Sequence, residues 1–263
     1  MASTGSTYRP RHPVATSLRG FTVATAADEA ELHEALELRH AVFRVEWQGT
    51  ALPGGRDGDE FDTHCDHIII RDAASHLLVA TMRFNPVPVD APQRVWSRAE
   101  FDLDGFLALP GPKVEMGRTC IRKEWRSNAT VLALFRGILN YIHASQATWV
   151  FGCCSLDATP LPGLACLRRW LQQQNHALPP GLARPQHPDP GLAGDPMHPL
   201  TPAERATAEE LLPPLLRAYL RSGAKVAVDP AWDPEFRCWD FLTVFDVGQE
   251  QRGFTGRYDA KPA

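Results

Sequence analysis

The segment KVEMGRTCI, Lys113–Ile121, constrains the fold more than any other stretch of this chain. Its apolar positions predict a buried strand. The same segment carries Glu115 and Arg118, and charged side chains are costly to bury unless they are paired. The strand therefore either holds a structural ion pair or borders a functional site.

The order of elements around this strand predicts an α/β (α+β) fold. A first strand and helix lead into a hairpin formed by DHIIIRD and HLLVATMRF, two apolar runs joined by small and polar residues. After the central strand, a helix over about 127–145 places Val131, Phe135, Ile138 and Ile142 on one face. Strands and helices then alternate, which predicts a mixed, mainly antiparallel sheet with helices on both faces.

The chain divides into three segments by composition. Residues 1–20 hold Arg9, Arg11 and Arg19 without an opposing acid, together with two prolines, and predict a flexible basic arm. Residues 21–250 are expected to form a single domain with a proline-rich insertion at about 178–202, which lacks any periodicity. Residues 251–263 form a C-terminal tail.

Composition excludes several classes of protein. The net charge of -4 and the pI near 6.2 argue against a general nucleic-acid binder. No apolar run reaches the roughly 20 residues of a membrane helix, and the N-terminus lacks the apolar core of a signal peptide. We therefore expect a cytoplasmic protein. The six cysteines show no C-x-x-C spacing and are expected to be free thiols.

Four motifs carry a family resemblance when they are considered together. RHAVF, DGDEFD, ATMRF and VEMGRTCI follow one another with the order and spacing of the GNAT-related family. That family holds ornithine lipid-type N-acyltransferases, N-acyl amino acid synthases and, more distantly, acyl-homoserine lactone synthases. The chain most resembles the L-ornithine Nα-acyltransferases, over roughly residues 36–247, and the resemblance implies a GNAT-like fold.

The resemblance also implies an activity and a set of site residues. Such enzymes move a (3-hydroxy)acyl chain from acyl carrier protein to the α-amine of an amino acid, with ornithine favoured here. A catalytic group would comprise Glu115 as the proton acceptor, Arg118 and Asp62. Substrate-binding positions would be Arg39, Phe43, Asp59, Arg83, Gly117 and Thr119. Trp47 lies near the position at which the family has a tryptophan. Gly117 would allow a bulge whose backbone N–H binds the oxyanion.

The donor is expected to be a carrier-protein thioester. GNAT enzymes that use coenzyme A usually place glycines at the start of the helix after the central strand, where backbone N–H groups approach the diphosphate. Here that stretch is RKEWRSNATV, which has no glycine. Arg122, Lys123 and Arg126 would instead meet the phosphopantetheine phosphate or the acidic carrier protein. Beyond this co-substrate, no cofactor is expected.

Several alternatives remain open from the sequence. The motif DTHCDH would hold a metal if Asp62, His64 and Asp66 shared a strand face, but it lacks a second ligand cluster, and no metal is expected. The acceptor would also fit lysine, glycine or tyrosine. Three further hypotheses concern the function: an acyl-homoserine lactone synthase, a coenzyme A-dependent acetyltransferase, and a non-catalytic acyl or carrier-protein binding module. A thiol nucleophile at Cys120 is disfavoured because no covalent step is needed. The basic arm would contact anionic membrane at the inner face.

Overall fold

The computed structural model describes residues 8–192 and 197–247. The strands are β1 Ala15–Leu18, β2 Phe21–Thr25, β3 Asp66–Asp72, β4 Leu78–Pro86, β5 Phe101–Asp102, β6 Lys113–Ile121, β7 Trp149–Asp157, β8 Arg184–Pro185, β9 Lys225–Val226, β10 Ala231–Asp233 and β11 Cys238–Asp246. The α-helices are α1 Glu29–Arg39, α2 Asp104–Leu107, α3 Asn128–Ser145, α4 Leu161–Gln173, α5 Pro202–Leu211 and α6 Pro214–Arg221. The predicted tail at 251–263 and the first part of the predicted arm, residues 1–7, lie outside the described residues.

The chain, which the sequence predicts to be one domain over 21–250, divides into two compact units. The first unit comprises Met1–Pro86 and Val114–Ala147, and the second comprises Val87–Lys113 and Thr148–Ala263. Every candidate catalytic and substrate-binding residue predicted from the sequence motifs lies in the first unit. The architecture of that unit therefore decides the geometry of the candidate site.

The first unit is built on an antiparallel sheet in the order β1-β2-β3-β4-β6. The predicted hairpin is confirmed as β3 and β4, and the predicted central strand is confirmed as β6. His67 lies opposite Arg83, and Asn85 lies opposite Glu115. Because directly opposed residues of a sheet point to the same face, these four polar side chains share one face.

Helices cover both faces of this sheet, as predicted. Arg39 at the end of α1 bonds to the loop that also binds Arg83, so α1 lies on the polar face. Tyr141 of α3 stacks on Phe84, whose side chain points to the opposite face. The mixed α/β fold with a mainly antiparallel sheet is therefore confirmed.

The buried face of α3 differs by about one position from the prediction. Phe135 and Ile138 are buried as predicted, and Thr130, Leu134 and Tyr141 are buried as well, whereas Val131 and Ile142 are only half-buried. The helix approaches the sheet closely at Gly137, where an added Cβ would lie 2.9 Å from Ile68. Because Gly137 has no side chain, this part of the helix surface lies against the sheet. Apolar periodicity alone does not predict which part of the surface makes such a close contact. Ser127 caps the helix by accepting a bond from the Thr130 N–H at 3.3 Å.

The prediction of a flexible arm is wrong for residues 8–20. The strand β1 pairs with β2, and the buried carboxylate of Asp66 accepts hydrogen bonds from the backbone N–H groups of Arg11 at 2.7 Å and His12 at 2.9 Å. Tyr141 donates a third bond to Asp66 at 2.7 Å. Proline content excluded a helix here but did not exclude a paired edge segment, and the partner Asp66 is distant in sequence.

The second unit contains an antiparallel sheet in which β11 pairs with β7 and β10 and, farther along, with β9. The strands β5 and β8 form a separate two-stranded pair. The segment before β6 contains a 3₁₀ turn at Trp96–Ala99, then β5 and the short helix α2. In the described part of the proline-rich insertion, regular structure is limited to β8, a 3₁₀ turn and the start of α5.

The cysteines and the helices agree with the compositional expectations. All six cysteines are free, and five of them are buried. Within residues 8–192 and 197–247, no helix combines the length and the hydrophobicity needed to cross a membrane.

Candidate active site

An acidic loop between the π-helix His40–Trp47 and β3 supplies three carboxylates. Asp57 is fixed by its backbone N–H, which donates to the Leu36 carbonyl at 3.1 Å. Asp62 begins a 3₁₀ turn, and its Oδ2 accepts a bond from the backbone N–H of Asp59 at 2.7 Å. The loop thus folds back on itself and turns all three acids towards arginines.

Arg39 occupies the centre of the charged network. Its side chain is 1% exposed and donates to Asp62 Oδ1 at 2.6 Å and to Asp57 Oδ2 at 3.2 Å. Arg44 on the π-helix donates to the other oxygen of Asp57 at 2.6 Å. The planar guanidinium suits this arrangement because its donors point in fixed, divergent directions. Losing one member of such a buried set costs about 3–5 kcal/mol, since a charge is left without its partner.

Arg83 on β4 joins Asp59 to Asp62. Its Nη1 donates to Asp59 Oδ1 at 2.6 Å and to Asp62 Oδ1 at 2.8 Å, and its guanidinium lies 5.7 Å from the centre of the Phe61 ring. Both oxygens of Asp62 are therefore engaged, one by two arginines and one by a backbone N–H. The side chain of Asp62 is 3% exposed. The geometry gives Asp62 the role of holding the network together.

Arg118 reaches the network from a bulge in β6. Thr81 lies opposite Cys120 and Arg83 opposite Gly117, so two steps along β4 match three along β6. The extra residue makes a β-bulge, and its left-handed conformation is at Arg118, with φ of 50°. The guanidinium of Arg118 lies 3.6 Å from Asp59 Oδ2. Gly117, which the sequence suggested as the flexible position, does not have a positive φ.

Asp59 and Arg118 form the accessible edge of the network. Their side chains are 28% and 23% exposed, while those of Arg39, Asp57, Asp62 and Arg83 are almost completely buried. Burial acts to raise the pKa of Asp59, but Arg83 and Arg39 outweigh it and hold the pKa below its ordinary value. The accessible edge thus presents an ionised carboxylate beside a guanidinium.

Glu115 lies on the same face of β6 as Gly117 and is fully buried. Its Oε2 accepts a hydrogen bond from the side-chain amide of Asn85 at 3.3 Å. The carboxylate also acts electrostatically on the nearby thiol of Cys65. Burial is the main reason that the pKa of Cys65, and likewise that of Cys120, is raised to about 12. Neither thiol is therefore a thiolate at neutral pH, which agrees with a reaction that needs no covalent enzyme intermediate.

His67 stabilises the acidic loop by a hydrogen bond to its backbone. Its Nε2 lies 3.0 Å from the backbone carbonyl of Asp62, which accepts the ring N–H. The ring is 0% exposed, and burial lowers its pKa to about 4 although Asp62 acts in the opposite direction. His67 is thus a neutral donor that fixes the turn carrying Asp62.

The structure brings together most of the predicted residues and places others apart. Phe43 is buried and contacts Trp47 edge to face, with ring centres 5.2 Å apart. Thr119 follows Arg118 in the bulged part of β6 and is half-buried. Arg126 forms a bidentate pair with Glu46 at 2.7 Å, and Arg122 donates to the Leu78 carbonyl at 3.3 Å. Lys123 is exposed in the 3₁₀ turn after β6.

The predicted metal motif does not form a shared face. Asp62 and His64 lie in a 3₁₀ turn rather than in a strand, and Asp66 accepts bonds from Arg11, His12 and Tyr141. Three members of the site were missed by sequence reasoning: Arg44, Asp57 and Asn85. Asp57 stands in the quoted motif DGDEFD, and Asn85 follows Arg83 by two residues, so strand periodicity would have found it.

Sequence comparisons place the chain among acyltransferases. The sequence model described as an Acetyltransferase (GNAT) domain matches residues 38–136. The L-ornithine N(alpha)-acyltransferase of Rhodobacter capsulatus is 28% identical over 246 residues, which cover 86% of this chain and 90% of the relative. The protein of the same name from Rhizobium meliloti is 29% identical over 249 residues, which cover 89% of this chain and 81% of the relative.

Solved structures show the same fold. BjaI, a CoA-dependent acyl-homoserine lactone synthase, superposes with a TM-score of 0.51 at 15% identity, covering 89% of this chain and 84% of that chain. FeeM, an N-acyl amino acid synthase from uncultured soil microbes, gives a TM-score of 0.52 at 9% identity, covering 90% and 96%. At these identities the likeness concerns the fold alone.

The fold is of the GNAT type, and the similarity of the chain to proteins named acyltransferases supports acyl transfer as its activity. Over most of its length it is similar to the L-ornithine N(alpha)-acyltransferases, as its motifs indicated.

The bulge at Arg118 leads to a prediction that separates backbone from side chain. Arg118→Gly and Arg118→Ala should both lower turnover on the order of 100-fold, because both remove the guanidinium from the accessible edge. Glycine tolerates the left-handed conformation, so the Gly variant should be about 1 kcal/mol more stable than the Ala variant. Urea unfolding and acyl-transfer assays measure the two effects.

Arg237 provides the matched control. It also has a positive φ, of 54°, but is exposed in the turn between β10 and β11. Arg237→Gly and Arg237→Ala should show the same difference in stability with unchanged turnover. Full activity in Arg118→Gly would remove the guanidinium from the reaction.

The low pKa of His67 predicts how stability depends on pH. The folded state holds His67 neutral down to a pKa of about 4, against 6.5 ordinarily, so the unfolded chain binds more protons between these values. The stabilisation is fully present above pH 6.5 and is lost as the pH falls through 4, by roughly 3 kcal/mol in total. Unfolding free energies at pH 7 and pH 5 should therefore differ less in His67→Gln, whose amide still donates to Asp62. His33→Gln, a change on the surface of α1, should retain the wild-type difference.

Proposed function

We propose that this N-acyltransferase moves a long-chain (3-hydroxy)acyl group from acyl carrier protein to the α-amine of ornithine, giving lyso-ornithine lipid. The observation that carries the proposal is the opposed pair Arg118 and Asp59 at the accessible edge of a buried charged network. Support for the acceptor comes from the relatives, which bear the name L-ornithine N(alpha)-acyltransferase and cover most of the chain.

The accessible edge suits an amino acid acceptor. A guanidinium matches a carboxylate with two parallel hydrogen bonds, so Arg118 would bind the α-carboxylate of the substrate. Asp59, ionised and half-exposed, would bind a cationic group. Arg39, Arg83 and Asp62 would keep these two side chains in place, since their own charges are already satisfied by one another.

The reaction needs a free amine and an oxyanion site. The amine lone pair attacks the thioester carbonyl carbon, the carbonyl becomes an oxyanion, and the C–S bond then breaks as the thiolate takes up a proton. Glu115 would accept the proton that the amine loses, directly or through a water molecule. The bulge at Gly117, Arg118 and Thr119 frees backbone N–H groups from the regular ladder, and such a group would stabilise the oxyanion.

The carrier protein is the proposed donor because the segment after β6 lacks the glycines of a diphosphate loop. Lys123 and Arg126 are exposed there, just before the capped N-terminus of α3. The fold does not decide the donor, since BjaI, which shares it, is named CoA-dependent.

The acceptor and product are tested by expression in a bacterium that makes no N-acyl amino acid lipids, followed by mass spectrometry of the lipid extract. An N-(3-hydroxyacyl)ornithine species is expected. A species carrying lysine, glycine or tyrosine would assign the chain to another amino acid, and an acyl-homoserine lactone in the medium would assign it to the synthases. An unchanged extract, together with an inactive purified protein, would favour an acyl or carrier-protein binding module.

Glu115→Gln tests the proton acceptor. The amide keeps the shape of the side chain but does not accept the proton, so turnover should fall by a factor on the order of 100 or more with little change in the acceptor KM. The purified variant is assayed with acyl carrier protein thioester and ornithine, and circular dichroism checks its fold. Glu210→Gln, which changes an exposed carboxylate on α5, is the control. Equal turnover of Glu115→Gln and wild type would remove Glu115 from the mechanism.

Competition between donors tests the carrier protein. Acyl carrier protein thioesters should outcompete the same acyl group on coenzyme A, and the advantage should shrink with added salt, because exposed charges are screened over about 8 Å at physiological ionic strength. Lys123→Gln should reduce the preference. Equal kcat/KM for both donors at low salt would contradict the proposal.

Peripheral contact with anionic membrane is part of the proposal, since the product is an amphiphile. Each of Arg9, Arg11 and Arg19 would contribute about 1 kcal/mol near an anionic leaflet. Truncating residues 1–20 would also remove β1 and the bonds to Asp66, so the test is substitution of the three arginines by glutamine. At low salt, a smaller fraction of this variant than of the wild type should sediment with vesicles that contain phosphatidylglycerol. Equal sedimentation would transfer the contact to another surface.

A further inference from the structure

Five potential metal ligands come together within the second unit. Glu100, Cys153 and Asp240 each offer one ligand atom, and these atoms lie within 4.8 Å of one another. Asp233, Cys238 and Asp240 form a second such group with the same spacing. Asp240 belongs to both groups, so two thiols and two further carboxylates surround one acid.

The strand register explains why these side chains meet. Cys238 and Asp240 are two residues apart on β11 and therefore share a face. Asp233 on β10 lies directly opposite Cys238, and Cys153 on β7 lies opposite Leu242, the next residue on that same face. Glu100 is supplied by the turn before β5. Four of the five ligands are thus fixed by the sheet rather than by a mobile loop.

The cluster is too acidic and too buried to be explained as a solvated surface. Asp240 is 4% exposed and Cys238 is 6% exposed. Glu100 offers its carboxylate within 4.8 Å of the ligand atoms of Cys153 and Asp240. Its Oε2 is buried and, within residues 8–192 and 197–247, lacks a hydrogen-bond partner. A cation at this place would be attracted by the closely spaced carboxylates and would give the Oε2 atom of Glu100 a bonding partner.

We propose that Glu100, Cys153, Asp233, Cys238 and Asp240 form a binding site for one divalent metal ion of the zinc class. Thiolates select borderline and soft ions over magnesium and calcium, which require oxygen ligands alone. In each group three ligand atoms lie within 4.8 Å of one another, so one ion would take Asp240 and the two other members of one group, with water completing a tetrahedral shell. Binding releases to solvent the proton of each thiol that ligates the metal. Through Asp240 the ion would link β11 either to β7 and the segment before β5 or to β10.

Cobalt(II) is the probe for this site because it takes zinc positions and reports thiolate ligation by an absorption band. The full chain, freed of metal by a chelator, should bind one cobalt ion per molecule with a thiolate-to-cobalt charge-transfer band. Cys153→Ser and Cys238→Ser should each weaken the band, and Glu100→Gln and Asp240→Asn should reduce affinity at least tenfold. Cys166→Ser, which removes a buried thiol of α4, should leave the titration unchanged.

Thermal unfolding provides the second measurement. Zinc should raise the unfolding midpoint of the wild type and of Cys166→Ser but not of Asp240→Asn, whose fold is checked by near-ultraviolet circular dichroism. Glu100→Gln, which preserves shape, decides the matter if Asp240→Asn does not fold. Absence of a saturable cobalt band, or a band that survives in both Cys153→Ser and Cys238→Ser, would overturn the proposal and leave a proton shared between Glu100 and Asp240.

Discussion

The candidate site depends on the three hydrogen bonds that the carboxylate of Asp62 accepts, two at one oxygen from arginines and one at the other oxygen from a backbone N–H. Arg39 comes from α1, Arg83 from β4 and the N–H from the acidic loop, so one carboxylate fixes three elements at once. Burial of isolated charges would oppose folding strongly, whereas this mutual pairing makes each charge necessary to the others. The network therefore specifies one arrangement of helix, strand and loop.

The bulge in β6 then uses that fixed frame. An ordinary strand would send every second side chain to the same face, and Arg118 would point away from Glu115. One extra residue reverses this alternation, which brings the guanidinium of Arg118 to Asp59. The unfavourable left-handed backbone of Arg118 is maintained by the surrounding pairs, as expected where strain is local and the neighbouring structure is rigid. A single irregularity in the sheet thus connects the buried network to its accessible edge.

Sequence patterns predicted what depends on local periodicity. The hairpin of β3 and β4, the strand β6 and the helix α3 all carry apolar residues at the spacing of their element. Motif spacing predicted that Arg39, Asp59, Asp62, Arg83 and Arg118 belong together. The failures have long-range causes. The segment around β1 is ordered by Asp66, more than 50 residues away, as the separation of 55 positions from Arg11 shows. The buried face of α3 depends on the close contact of Gly137 with the sheet. The left-handed conformation falls at Arg118 rather than at Gly117 because pairing with β4 sets the position of the bulge.

The balance of charge in the site bears on the acceptor. Arg39, Arg44, Arg83 and Arg118 face Asp57, Asp59, Asp62 and Glu115. Because four arginines and four acidic residues make up the set, the proposed zwitterionic amino acid would enter without a large change in net charge, and a further cationic group on it would gain chiefly from Asp59. In the proposed reaction, transfer of a proton from the α-amine to Glu115 would move one charge within the set rather than create a new one. The cost of making the nucleophile is thereby confined to a local transfer, which a rigid, preorganised network can stabilise.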